Sequence, residues 1–247
     1  VVVCLVEYYR ALTKVGYHPR PFVGVASGLL FCCAALFQSH VSFDLTGLVL
    51  STVVMLMLVS ELLRHDHEQG LLGWALTFAG ACYIGWLFSY YILLGKIETP
   101  LEGGVITSLI PMRSGAAWVY LVLAITWIQD GAAYFVGRSF GRHKMAPTVS
   151  PNKSWEGAIG GFFGSILASV LTVFLLGLPI SYPIAILLGA IGGVVAPIGD
   201  LAESTIKRRI GLKDMGNIMP GHGGLFDRAD SMLFAAPVLY YMILFLT

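Results

Sequence analysis

Residues 156–178 read EGAIGGFFGSILASVLTVFLLGL, an apolar run whose single charge, Glu156, stands at its start. About 20 such residues cross a hydrocarbon core of roughly 30 Å as a helix. The run therefore reads as a membrane span. Six more apolar runs, at 21–37, 43–63, 71–95, 116–137, 182–199 and 231–247, read the same way, each bounded by charged or turn-forming residues. Residues 1–9 (VVVCLVEYY) read as the end of a further helix whose start lies upstream of Val1, and no charged region followed by a small-residue cleavage site marks them as a signal peptide. The 247 residues are 57% hydrophobic and only 12% charged, with a mean hydropathy of +0.79, which excludes an ordinary soluble domain. The expected fold class is all-α: a polytopic integral membrane protein with about seven full transmembrane helices and a partial N-terminal one.

A formal net charge of +1 points to no partner, nucleic acid included, but the placement of the charges is informative. If the tail from Arg10 to Arg20 is cytoplasmic and the loops alternate sides, Arg10, Lys14, Arg20, Arg64, Arg138, Arg142, Lys144, Lys153, Lys207, Arg208, Arg209, Lys213 and Arg228 all fall inside, and only Lys96 and Arg113 outside. Thirteen of the 15 basic residues on one side support both the orientation and the span count, and place the C-terminus outside. Cys4, Cys32, Cys33 and Cys82 sit in apolar segments without a paired ligand spacing and read as small core residues.

With no internal repeat or polar linker, residues 1–247 form one membrane domain. Residues 1–115 are mainly hydrophobic scaffold, and 116–247 carry two long polar cytoplasmic segments, 138–155 and 200–230. Leu201–Leu212 (LAESTIKRRIGL) is expected to form a short surface helix. The Gly-rich stretch Pro220-Gly221-His222-Gly223-Gly224 is expected to be a tight loop with exposed amides.

Four carboxylates stand where the spans make them costly: Asp130 within one, Asp200 at the end of another, and Asp227 and Asp230 just before the last. Intramembrane acids are functional candidates, and in a helix Asp227 and Asp230 would share a face. Oxygen ligands of this kind suit a hard divalent cation, Mg2+ above all. Basic residues accompany them in both loops. Carboxylates for a metal, cations for phosphate oxygens and glycines that let backbone amides approach are the ingredients of phosphoryl chemistry.

Plainer readings stand beside these. Arg138, Arg142 and Lys144 also fit a topology signal, Asp130 a structural partner on a neighbouring helix, and His222 an ordinary loop histidine. His18, His40, His65, His67 and His143 read as interfacial, Glu7 and Glu61 as snorkelling or paired groups, and Tyr8, Tyr9, Tyr90 and Tyr91 as belt residues.

The segments Ser204-Thr205-Ile206-Lys207-Arg208, Lys213-Asp214-Met215-Gly216 and Pro220-Gly221-His222-Gly223-Gly224-Leu225-Phe226-Asp227-Arg228-Ala229-Asp230, separated by four and three residues, resemble the signature of the phosphatidate cytidylyltransferases (CDP-diacylglycerol synthases). Asp130-Gly131-Ala132-Ala133-Tyr134, Gly137-Arg138, Gly141-Arg142 and Ser150-Pro151-Asn152-Lys153-Ser154-Trp155-Glu156-Gly157 are similar to that family's preceding span and loop. Asn152 and Ser154 replace a more usual Lys and Thr, and Met219 and Ala229 depart mildly from the signature. The likeness covers residues 115–247 well, and upstream it is one of hydropathy only.

The resemblance implies a reaction in which phosphatidic acid attacks the α-phosphate of CTP, giving CDP-diacylglycerol and pyrophosphate, with Mg2+ required and a second, monovalent cation left open. It implies Asp200 and Asp227 as metal ligands, with Asp130 and Asp230 as further ligands or their neighbours and Ser204 adding an oxygen. Lys207, Arg208, Lys213 and Arg228 would contact the triphosphate or lipid phosphate, and Lys153, Ser154 and Glu156 would close the site. Asp214 would join the catalytic group, and Gly221, His222, Gly223 and Gly224 would bring the loop against phosphate. The implied location is a bacterial inner membrane with the site facing the cytoplasm and a lateral opening between helices. CTP, phosphatidic acid and membrane lipids are the implied partners, and a homodimer is the expected assembly.

Two relatives in chemistry compete. A CTP-dependent enzyme acting on another lipid phosphate differs only in apolar surfaces that composition does not distinguish. A CDP-alcohol phosphotransferase needs Ala where Tyr134 stands. An ion-coupled transporter would show broken helices in paired halves, and no such internal symmetry is present.

Overall fold

A computed structural model describes residues 1–62, 70–216, 218 and 223–247. Its helices are α1 (Val2–Lys14), α2 (Pro21–Phe37), α3 (Leu45–Leu62), α4 (Gly70–Gly80), α5 (Leu87–Leu94), α6 (Ser114–Phe140), α7 (Trp155–Leu176), α8 (Tyr182–Arg209) and α9 (Asp230–Leu246). A π-helical turn, Ala81–Trp86, joins α4 to α5 into one helix, Gly70–Leu94. Among the described residues six helices are long and apolar enough to cross a membrane, and the protein is a membrane protein. The seventh expected span is α9, an apolar helix of 17 residues, shorter than the six, which run from 18 to 28 residues once the 3-10 turn Gln38–His40 is counted with α2.

The helix ends follow local chemistry. Pro21 opens α2, where a missing N–H costs nothing. The Ser154 hydroxyl accepts the Gly157 N–H at 3.2 Å and caps α7. Gly177, at φ +65°, closes that helix in the left-handed conformation. Residues 201–212 differ from expectation. They do not form a separate surface helix, because α8 runs on from Tyr182 through Pro197 to Arg209. The polar turn satisfies its own backbone, and Lys207, Arg208 and Arg209 in the last turn complement the helix dipole. A small antiparallel hairpin, β1 (Lys144–Ala146) with β2 (Ser150–Ser154), is the other unexpected feature of the 138–155 loop.

The chain forms two compact units. The first comprises Val1–Ile92 and Ile206–Ala229. Its core gathers Phe31, Val53, Met57 and Ala81, with Phe31 stacked on Trp86 at 5.7 Å. A Cβ on Gly85 would collide with the Gly28 backbone, so α2 and the π-helical turn touch main chain to main chain. Tyr8, Tyr9 and Tyr90 are core residues and not a belt: each is at most 6% exposed. The Tyr9 hydroxyl donates to the Thr77 carbonyl at 2.7 Å, giving its polar end a partner inside the protein. Cys4 is buried as expected, whereas Cys33 is exposed.

The second unit comprises Leu93–Thr205 and Asp230–Thr247. In it α6 and α7 pack along their length through small residues. A Cβ on Gly157 would meet the Ala133 carbonyl at 2.8 Å, and one on Gly161 the Gln129 amide at 2.7 Å. Without a hydrophobic drive between helices in lipid, this closeness is what gains dispersion energy.

Candidate active site

In the first unit, Lys207 and Asp227 form a pair at 2.9 Å whose side chains are only 10% and 6% exposed. Asp227 stands on a 3-10 turn, Phe226–Arg228. Its Oδ2 accepts the Gly224 N–H at 2.7 Å, and both its oxygens accept the Met215 N–H at 3.1 Å. Burial would raise its pKa, but the Gly224 amide, the Lys207 ammonium and the Met215 amide outweigh that and hold the carboxyl below the usual range. Asp227 is thus an anion at neutral pH. Gly223, at φ +80°, lets the chain pass here. A Cβ on it would meet Asp227 Oδ2 at 3.0 Å and Asp214 Oδ1 at 3.5 Å, so these two carboxylates flank the same glycine.

Lys213, Asp214, Arg208 and Arg228 are exposed. One Arg208 guanidinium nitrogen donates to the Leu212 carbonyl at 3.2 Å. Gly221 and His222, with His65 and His67 among the histidines read as interfacial, lie outside the described residues.

In the second unit, the Lys153 ammonium pairs with Asp200 Oδ2 at 2.8 Å and also donates to the Pro197 carbonyl at 3.4 Å. Pro197 has no N–H, and α8 nevertheless continues to bring Asp200 round to Lys153. The Ser204 hydroxyl, one turn on, donates to Asp200 Oδ1 at 3.2 Å. Asp130, on α6, faces the charges of Asp230, Asp200 and Lys153. The Ser231 hydroxyl lies 3.5 Å from Asp130 Oδ1 and 3.4 Å from Asp230 Oδ1, linking the two acids. Ser231 is a polar neighbour that the sequence reading passed over.

Ser154 and Glu156 are engaged locally. Ser154 caps α7, and Glu156 accepts the Arg142 and His143 amides at 3.2 and 3.3 Å and holds the His143 ring at 2.6 Å. The Arg138 guanidinium donates to the Tyr134 hydroxyl at 2.9 Å. Asp227 and Asp230 do not share a helix face: the first is the middle residue of the 3-10 turn Phe226–Arg228 and the second begins α9.

Among the described residues no three His, Cys, Asp or Glu side chains form a group ready to hold a metal ion. The donor types nonetheless fit a hard cation, since Asp130, Asp200, Asp227, Asp230 and Ser204 offer oxygen only. Asp200 and Asp227 are each neutralised by a lysine ammonium.

The family model described as "Cytidylyltransferase family" matches residues 1–246. A Bacillus subtilis protein named phosphatidate cytidylyltransferase is 33% identical over 222 residues, which make up 87% of this chain and 77% of that one. A Synechocystis protein of the same name is 31% identical over 255 aligned residues, covering 97% of this chain and 84% of its own. For one from Brucella suis the identity is 43% over 126 residues, 51% of this chain, and the match spans 46% of the length of that relative.

Proposed function

The chain belongs to the cytidylyltransferase family, and from that premise we propose that it transfers the cytidylyl group of CTP to phosphatidic acid. An oxygen of the lipid phosphate attacks the α-phosphorus of CTP, and the bond to the β-phosphate breaks. Pyrophosphate leaves, and CDP-diacylglycerol forms. A phosphate monoester is already ionised near neutral pH, so the reaction needs no general base. Its difficulty lies in bringing two polyanions together and stabilising charge on the α-phosphate and the leaving group.

The observation that carries this reading is that each expected metal ligand is held by a lysine, Asp200 by Lys153 and Asp227 by Lys207. Asp227 in the first unit, and Asp200 with Asp130, Asp230 and Ser204 in the second, are the oxygen donors that would take up Mg2+, and the metal would supply the positive charge the reaction demands. Lys153 and Lys207, if released from their carboxylates, would be available to phosphate oxygens. The exposed Lys213, Arg208 and Arg228 add to that field. The one-sided distribution of basic residues supports a site on the cytoplasmic face, where CTP arrives from water, and a bacterial inner membrane is the location proposed. A homodimer remains the proposed assembly.

Incorporation of label from α-labelled CTP into lipid tests the reading. Purified protein in detergent is given phosphatidic acid, an isoprenoid ether lipid phosphate or a polyprenyl phosphate. Labelled CDP-diacylglycerol is expected with phosphatidic acid. A preference for another lipid phosphate would reassign the substrate, and incorporation into none would overturn the transferase reading.

A further inference from the structure

Glu7 is the acid of α1 and is 4% exposed. Its Oε1 accepts the Leu225 N–H at 3.1 Å, and its Oε2 accepts the Phe226 N–H at 2.9 Å. The loop also closes on it from the other limb: a Cβ on Gly216 would collide with Glu7 Oε1, and one on Gly224 would meet both of its oxygens at 2.6 Å. Beside these contacts the Phe226 ring is fully buried, edge-on to Tyr8 at 6.2 Å and to Tyr83 at 5.7 Å. A buried carboxylate is costly unless its oxygens accept hydrogen bonds, and buried amides are costly unless they donate. Glu7 and the two amides satisfy one another.

We infer that Glu7 is a positioning residue, holding the limbs 213–216 and 223–228 together and so fixing the turn that carries Asp227. Asp227 joins the same limbs through Met215 and Gly224, but in the reaction proposed above, on which this role rests, its carboxylate must exchange Lys207 for a cation. A second carboxylate that never leaves the loop keeps its shape through that exchange. Leu225 and Phe226 lie more than 200 residues along the chain from Glu7, so the N-terminal helix is part of the site's support.

The 247-residue chain in detergent, as wild type, Glu7→Gln and Glu7→Ala, is followed by hydrogen exchange and by steady-state kinetics with CTP varied. In Glu7→Ala, exchange over 223–229 is expected to quicken by roughly tenfold or more while that of α6 and α7 is unchanged. There kcat falls roughly ten- to a hundredfold, the scale of one or two charge-assisted hydrogen bonds, with the KM for CTP within about threefold. Glu7→Gln keeps one acceptor oxygen and falls between. Unchanged exchange over 223–229 overturns the inference whatever happens to turnover. Faster exchange there with wild-type kcat overturns the link to the reaction, and faster exchange throughout α6 and α7 overturns it in favour of a general loss of fold. If the wild type itself turns over nothing, the transferase reading fails, and exchange over 223–229 alone decides whether Glu7 holds the loop.

Discussion

Gly223 shows what a single residue contributes to the candidate site. Its φ of +80° is a conformation that costs other residues roughly 1–2 kcal/mol, and a Cβ there would press on Asp227 Oδ2. Gly223→Ala is therefore expected to lower kcat at least about tenfold by shifting Asp227, while the melting temperature in detergent falls only a few degrees. An unaffected kcat would mean that the orientation of Asp227 is unimportant. At this scale the sequence was informative where residues are close along the chain. The costly acids could be read directly, as could the basic run Lys207-Arg208-Arg209. The Lys207–Asp227 pair and the bonds from Glu7 to Leu225 and Phe226 could not, because no local periodicity relates residues 20 or more than 200 positions apart. A lone acid in the apolar stretch 1–9 was the available signal for Glu7, and it reads equally well as a snorkelling group.

Among elements, α7 depends on its ends and on one face. Ser154→Ala removes the side chain that caps the helix and is expected to cost about 1 kcal/mol, seen as a lower melting temperature. If Ser154 serves only as this cap, kcat per folded molecule stays near wild type, whereas a fall well beyond the loss of stability would place its hydroxyl against substrate. Hydropathy located the spans well, since burial in lipid demands long apolar runs. It misplaced the end of α8 because it measures membrane depth and not helix continuity: the polar turn from Asp200 to Arg209 is helical without being apolar. The β1–β2 hairpin escaped notice because strands of three and five residues carry too little alternation, and Pro151 argues against one of them. The π-helical turn has no sequence signal beyond Gly80 and Gly85 at its edges.

At the scale of the whole molecule, the proposed orientation puts 13 of the 15 basic residues on the cytoplasmic side. With native cysteines replaced, Lys144→Cys and Lys96→Cys report the two sides: in intact cells an impermeant maleimide is expected to label position 96 and to reach 144 only after lysis. The reverse pattern would invert the orientation and place the polar loops away from cytoplasmic CTP. The fold class was legible from composition and span length alone. The division into two compact units was not, because the first unit joins residues 1–92 to 206–229 and only folding brings such segments together.

The most direct measurement of the central claim is pyrophosphate release from CTP by the purified protein in detergent, with and without phosphatidic acid and Mg2+, for wild type and Asp227→Ala. Release is expected only when lipid and metal are both present, with Asp227→Ala slower by at least about a hundredfold although its helices remain folded. A folded wild type that releases no pyrophosphate with phosphatidic acid and Mg2+, or an Asp227→Ala variant that matches it, would contradict the account.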